Sequence, residues 1–147
     1  MFDPQVIATL LHDSWIETNP VATDIMFAVD EYDPKKPALQ IVCENADLPK
    51  EEFIIDTVFK TVQVVKITVF LKPIRYVNTE LNVNKVIFYN VLAEIDRIIR
   101  SVHRGYTATE YNSIPWRRVI IPKGMGVQPE PLTFQAEKLI TITEYIA

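Results

Sequence analysis

One cysteine, Cys43, cannot close an intrachain disulfide, so the stapled secreted scaffolds are excluded and assembly in a reducing compartment is expected. Three glycines, Gly105, Gly124 and Gly126, make neither a P-loop nor a dinucleotide fingerprint, both of which need glycine where the backbone closes on phosphate. His12 and His103 are the only histidines, and with a lone cysteine they offer no recognised ligand spacing for zinc. No Gly-x-Ser-x-Gly nucleophile elbow occurs. No apolar run approaches the roughly eighteen residues of a membrane span. Met1-Phe2-Asp3-Pro4 lacks a basic stretch leading into an apolar one, so no signal peptide is expected either.

What remains is the composition of an ordinary globular protein. A 48% hydrophobic and 23% charged chain rules out wholesale disorder, and 147 residues suit a single domain spanning 1–147. Nineteen acidic against fifteen basic residues give a net charge of −4, so the chain as a whole has no counterion-releasing surface for nucleic acid, although a local basic patch is compatible with that sum.

Asp3-Pro4 reads as N-cap and first position of a helix, because the carboxylate accepts an orphan amide and proline needs no partner for its missing N–H. Val6, Ile7, Leu10, Leu11 and Trp15 form its apolar stripe until Asn19-Pro20 stops it. Ile25, Phe27 and Val29 alternate within a strand from Thr23 to Tyr32, and Leu39, Ile41 and Cys43 repeat the alternation as its expected hairpin partner beyond Asp33–Pro37. Phe53 to Leu71 is rich in Val, Ile, Thr and Phe, but its apolar parity changes between Val64 and Val65. A bulge there restores the register; two strands joined around Lys60-Thr61 are the alternative.

A second helix starts between Asn78 and Asn84, with Ile87, Phe88, Val91, Leu92, Ile95, Ile98, Ile99 and Val102 on one stripe and Gly105 as its stop. A turn-rich loop then leads to Ile114-Pro115, a short strand covers Trp116 to Ile121, and a long strand covers Leu132 to Ile146, its apolar face interrupted by Lys138. The expected fold is α+β: a mixed, mainly antiparallel sheet with two helices packed on one face.

Few side chains invite chemistry. Cys43, inside an alternating strand, reads as a small buried hydrophobe rather than a nucleophile, His12 as a surface residue, and His103 as complementing a helix terminus. Glu51-Glu52 and Glu94/Asp96 read as solvated carboxylates. Arg97, Arg100 and Arg104, with Arg117, Arg118 and the aromatic Trp116, form a cluster suited to a partner's carboxylates, to phosphate or to solvent, with partner contact the leading reading. The Lys123-Gly124-Met125-Gly126 loop fits a hairpin or an assembly loop better than a ligand clamp. No catalytic, cofactor-binding or metal residue is assigned, and Arg104, Trp116, Arg117, Arg118, Lys123, Gly124 and Gly126 are the candidate partner contacts.

The order of elements resembles the tail terminators and related neck proteins of tailed viruses: an opening helix from Phe2 to Glu17, a strand block from Thr57-Val58-Phe59-Lys60 to Leu71-Lys72-Pro73, a helix from Val86 to Arg104, Trp116 near a strand start, and the closing Leu139-Ile140-Thr141-Ile142-Thr143. This resemblance implies a non-enzymatic virion protein without cofactors, assembled in the host cytoplasm. Its copies would form a homo-oligomeric ring, commonly a hexamer, that caps the tail tube protein and joins it to the head connector. Viral DNA would pass through the lumen without specific binding, with which an acidic subunit is compatible, and no membrane is involved. A small cytoplasmic α+β ligand-binding protein or enzyme, or a dimeric adaptor domain, are the other classes the sequence admits.

Overall fold

The computed structural model describes residues 4–16, 25–29, 39–46, 50–55, 58–71, 78–103, 109–122 and 133–146. Its elements in chain order are α1 (Pro4–Ser14), β1 (Ile25–Val29), β2 (Leu39–Asn45), β3 (Lys50–Ile55), β4 (Val58–Leu71), α2 (Asn78–His103), β5 (Thr109–Ser113), β6 (Arg117–Ile120) and β7 (Phe134–Ile146). The strands form one mixed, mainly antiparallel sheet in the order β1-β2-β4-β7-β5, with β3 also on β4 and β6 also on β7. This is the α+β architecture expected from the sequence.

Two long strands form its middle. β4 and β7 pair antiparallel without a register shift from Phe59↔Ile146 to Leu71↔Phe134. On the outer side of β4 lie β3, against residues 58–62, and β2, against residues 65–71. On the outer side of β7 lie β5, against residues 140–144, and β6, against residues 135–137. Cross-strand rows such as Phe27–Ile41–Val69–Ala136 and Ile25–Leu39–Leu71–Phe134 run across the sheet on one face. Both helices cover that face. α1 brings Trp15 edge-on to Phe27 at 5.5 Å, and α2 brings Phe88 to 5.4 Å from Phe134.

The core joins Ile7, Ala8 and Leu11 of α1, Ile87 through Ile99 of the α2 stripe, and the inward residues of β2, β4 and β7. Every expected apolar residue of α2 from Ile87 to Ile99 is buried. In α1 the stripe is narrower than its spacing suggests, because Val6 stays exposed and Ala8 takes a core position. No described helix is long and apolar enough to cross a membrane.

Four expectations require correction. β1 and β2 are not a hairpin: they pair parallel, Ile25↔Leu39 through Val29↔Cys43. Alternation reports which side chains share a face and is identical for parallel and antiparallel neighbours. No bulge interrupts β4 at Val64-Val65. The chain instead forms β3 and β4, and the hairpin closes at Ile55↔Val58, a few residues earlier than the Lys60-Thr61 alternative. The parity change arises because Gln63 occupies a core-facing position, buried with its Nε2 donating to Asn45 Oδ1, while Val62 and Val64 sit half-buried on the opposite face.

The turn-rich loop before Pro115 contains β5, whose polar Thr109–Ser113 segment is held by pairing with β7 rather than by its own β-propensity. The short strand begins at Arg117 rather than Trp116. The Asp3 cap, the Asp33–Pro37 turn, the Gly105 stop and the Lys123–Gly126 loop lie outside the described residues.

Ile95 is fully buried at the centre of the α2 stripe. Ile95→Ala is expected to lower unfolding stability by about 2–5 kcal/mol in chemical denaturation, combining lost transfer energy with the cavity left behind. An unchanged midpoint would place this side chain outside the core.

Candidate partner-contact surface

The edge formed by Trp116, Arg117 and Arg118 is fixed to the body by two charge networks, one on each face of the sheet. Ile114 N–H donates to the Leu139 carbonyl at 3.2 Å, which brings the chain onto β7 just before β6. On the helix-covered face, Trp116 Nε1 donates to Asp96 of α2, 3.1 and 3.2 Å from its two carboxylate oxygens. Lys138 Nζ bonds to the same carboxylate and lies 5.1 Å from the centre of the Trp116 ring. Lys138, only 4% exposed, interrupts the apolar face of β7 because its ammonium has both a carboxylate and an aromatic face to meet.

On the opposite face the buried Glu137 accepts from Arg117 Nε at 2.8 Å, and Arg118 Nε lies 3.4 Å from the same oxygen. Two guanidiniums converge on one carboxylate, leaving a positive surplus at this edge. Arg118 is 73% exposed along its side chain and adopts φ 50°. A side chain with a Cβ costs roughly 1–2 kcal/mol in that left-handed region. The position falls where the β6–β7 register shifts between Arg117 and Ile120. Such a bulge turns the edge strand and redirects its side chains outward. All four residues of β6 are exposed. Ile114, Val119 and Ile120 show 45%, 42% and 37% of their surface to solvent.

The carboxylates of α2 overturn one expectation. Glu94 and Asp96 are not a solvated pair: Glu94 is buried against Arg97 Nε, and Asp96 is half-buried in the Trp116–Lys138 network. Arg97 Nη2 also donates to the Ser14 carbonyl at 2.7 Å, satisfying an orphan acceptor at the end of α1. Arg97 therefore ties the helices together, and an open groove of about 270 Å³ lies beside Ala93, Arg97, Arg100 and Ser101 on this stretch of α2. Of the sequence candidates, the structure brings Trp116, Arg117 and Arg118 together; Arg104, Lys123, Gly124 and Gly126 lie outside the described residues.

The sequence reading missed Asp96, Glu137 and Lys138 as the groups holding the edge. The signal for Lys138 was its charge on an otherwise apolar strand face. Among the described residues, no three or more His, Cys, Asp and Glu side chains gather where a metal ion could be held. Cys43 is buried as its alternation implied, and burial pushes its thiol up to about 12. No protein-family model matches the chain, and no curated protein matches its sequence.

Asp96→Ala leaves the Lys138 ammonium buried without its carboxylate. A full burial of both partners would cost about 3–5 kcal/mol on such a deletion, and the partial exposure of Asp96 places the expected loss at or below the low end. Replacing both together, Asp96→Leu with Lys138→Met, is expected to recover most of that loss in urea denaturation. Additive effects of the two changes would show that the groups are not coupled.

The thiol gives a pH signature. The unfolded chain releases the Cys43 proton near 9, whereas the folded chain holds it to about 12. The contribution is therefore fully present below about pH 9 and is lost as pH rises from there towards 12. Native protein at pH 8 is expected to resist a thiol-specific disulfide reagent that reacts at once in denaturant; rapid native labelling would place the thiol at the surface.

Proposed function

We propose that this chain is a virion structural subunit, similar to the tail terminators of tailed viruses. In this reading its copies close into a ring, hexameric in the commonest arrangement, that caps the tail tube and docks the head connector. The observation that carries the proposal is the β6 edge. β6 is a short strand with a shifted register, which blunts it against the addition of another strand, so a contact here is made by its side chains. Here Ile114, Val119 and Ile120 stay open to solvent beside Arg117 and Arg118, on a strand held firmly from both faces. An apolar, well-anchored edge rimmed by charge suits association with another protein surface.

The element order supports the same reading, since helix, strands, long helix and closing strands follow one another as the resemblance requires. The net charge of −4 is compatible with a lumen through which DNA moves without adhering. The buried Cys43, its thiol held protonated well above neutral pH, leaves no role for thiolate chemistry.

Light scattering coupled to size-exclusion chromatography over a range of concentrations, followed by negative-stain microscopy, tests the proposal. Closed rings, or tail tubes capped by rings when tube protein is added, are expected. A compact monomer at every concentration that binds a small metabolite would overturn it in favour of a ligand-binding or enzymatic domain.

A further inference from the structure

We infer that the outward face of α2 is a docking surface for an acidic amphipathic helix of another protein. The inference is independent of the ring reading and of the β6 edge. Val86, Tyr89, Ala93, Arg97 and Arg100 follow one another at intervals of three, four, four and three residues. An average of about 3.5 residues is the spacing at which one helix seats a second along its length. All five are exposed, whereas the Ile87–Ile99 stripe of the same helix is buried. Val86 and Tyr89 keep 57% and 47% of their surface open to solvent, so the apolar part of this seam is accessible.

The exposed charges on this face are of one sign. Lys85, Arg97 and Arg100 reach solvent, whereas the carboxylates of the same stretch turn elsewhere. Glu94 is buried against Arg97, and Asp96 is drawn to Lys138 and Trp116. Asp13, the exposed carboxylate of α1, lies 3.0 Å from His12 Nδ1. Lys85 and Arg100 therefore have no carboxylate partner among the described residues. The open groove of about 270 Å³ beside Ala93, Arg97, Arg100 and Ser101 adjoins the seam and gives a partner side chain room to enter.

Charge and pattern together select the occupant. Lys85 stands at one end of the seam and Arg97 and Arg100 at the other, about 22 Å away along the axis, with Val86, Tyr89 and Ala93 between them. The centre thus suits hydrocarbon side chains and the ends suit carboxylates, which is the pattern of an amphipathic acidic helix laid along α2. Tyrosine and arginine are also the residues that contribute most to such contacts. The α2 seam of a second copy does not fit. Antiparallel it brings Lys85 to Arg100, and parallel it brings each cation to itself, so like charges meet in both senses. A phosphate backbone gains nothing from the apolar centre, and a chain of net charge −4 repels a polyanion as a whole.

Fluorescence anisotropy with two labelled synthetic peptides tests the inference on the full chain. Each peptide has about 21 residues, three heptads with leucine at the first and fourth positions; one carries glutamate beside the leucines, the other lysine, and alanine fills the rest. The glutamate peptide is expected to bind roughly tenfold or more tightly than the lysine peptide. Lys85→Glu with Arg100→Glu is expected to reverse that preference, with unchanged far-ultraviolet circular dichroism. Lys85→Gln with Arg100→Gln removes the charges without reversing them and is expected to abolish the preference. Arg118→Glu, on the β6 edge, is expected to bind both peptides as the wild-type chain does. Equal binding of the two peptides to the wild-type chain, binding of neither, or an unchanged preference in the folded charge variants would overturn the inference. So would a DNA duplex of about 20 base pairs that binds more tightly than the glutamate peptide and loses its affinity in the same variants, which would assign the face to a phosphate backbone.

Discussion

The uninterrupted pairing of β4 with β7 is the constraint on which the rest of the molecule depends. Along this ladder a slip of one residue would exchange the faces, moving Ile67 and Val69 away from the helices and bringing Lys66 and Thr68 towards them. Because the ladder has no shift, the irregularities gather in the shorter strands outside it. The hairpin shift lies between Phe53 and Ile55 of β3, and the edge shift lies between Arg117 and Ile120 of β6. A rigid centre with adjustable margins lets the margins carry unusual backbone, including the positive φ of Arg118, without disturbing the core.

The charged groups inside this scaffold connect its layers. Lys138 projects from β7 towards Asp96 on α2, and Trp116 closes over the pair from the edge, so one cluster fastens helix, central strand and edge together. Arg97 performs a similar function between Glu94 and the last turn of α1. A buried ionic cluster is a weak source of net stability compared with well-packed hydrocarbon, but it penalises arrangements that leave a charge unpaired. Its contribution here is to define where the Trp116–Arg118 segment sits, which is the property an interaction edge requires.

Much of the architecture was legible because burial writes itself into sequence as periodicity. The α2 stripe was read from Ile87 through Ile99, and the alternation of Leu39, Ile41 and Cys43 identified a core face correctly. Periodicity stops short of topology, which is why the parallel pairing of β1 with β2 was read as a hairpin. It also fails where a polar residue enters the core with a partner distant in sequence. Gln63 depends on Asn45, and Lys138 depends on Asp96. β5 escaped notice for a related reason: Thr109–Ser113 becomes a strand through β7, a neighbour that local propensity does not contain. At the candidate edge, Trp116, Arg117 and Arg118 stood out by residue type, whereas the exposure of Val119 and the bulge at Arg118 needed three dimensions.

The position of β7 also affects how the protein is made. It follows every other element in chain order, yet it lies in the middle of the sheet, between β4 and the β5/β6 edge. During synthesis β7 therefore emerges after the strands it pairs with, and until then β4 has one long side open to any passing strand. Contacts of such long sequence separation form slowly. An open side of this kind is exposed to wrong pairing for as long as β7 is missing.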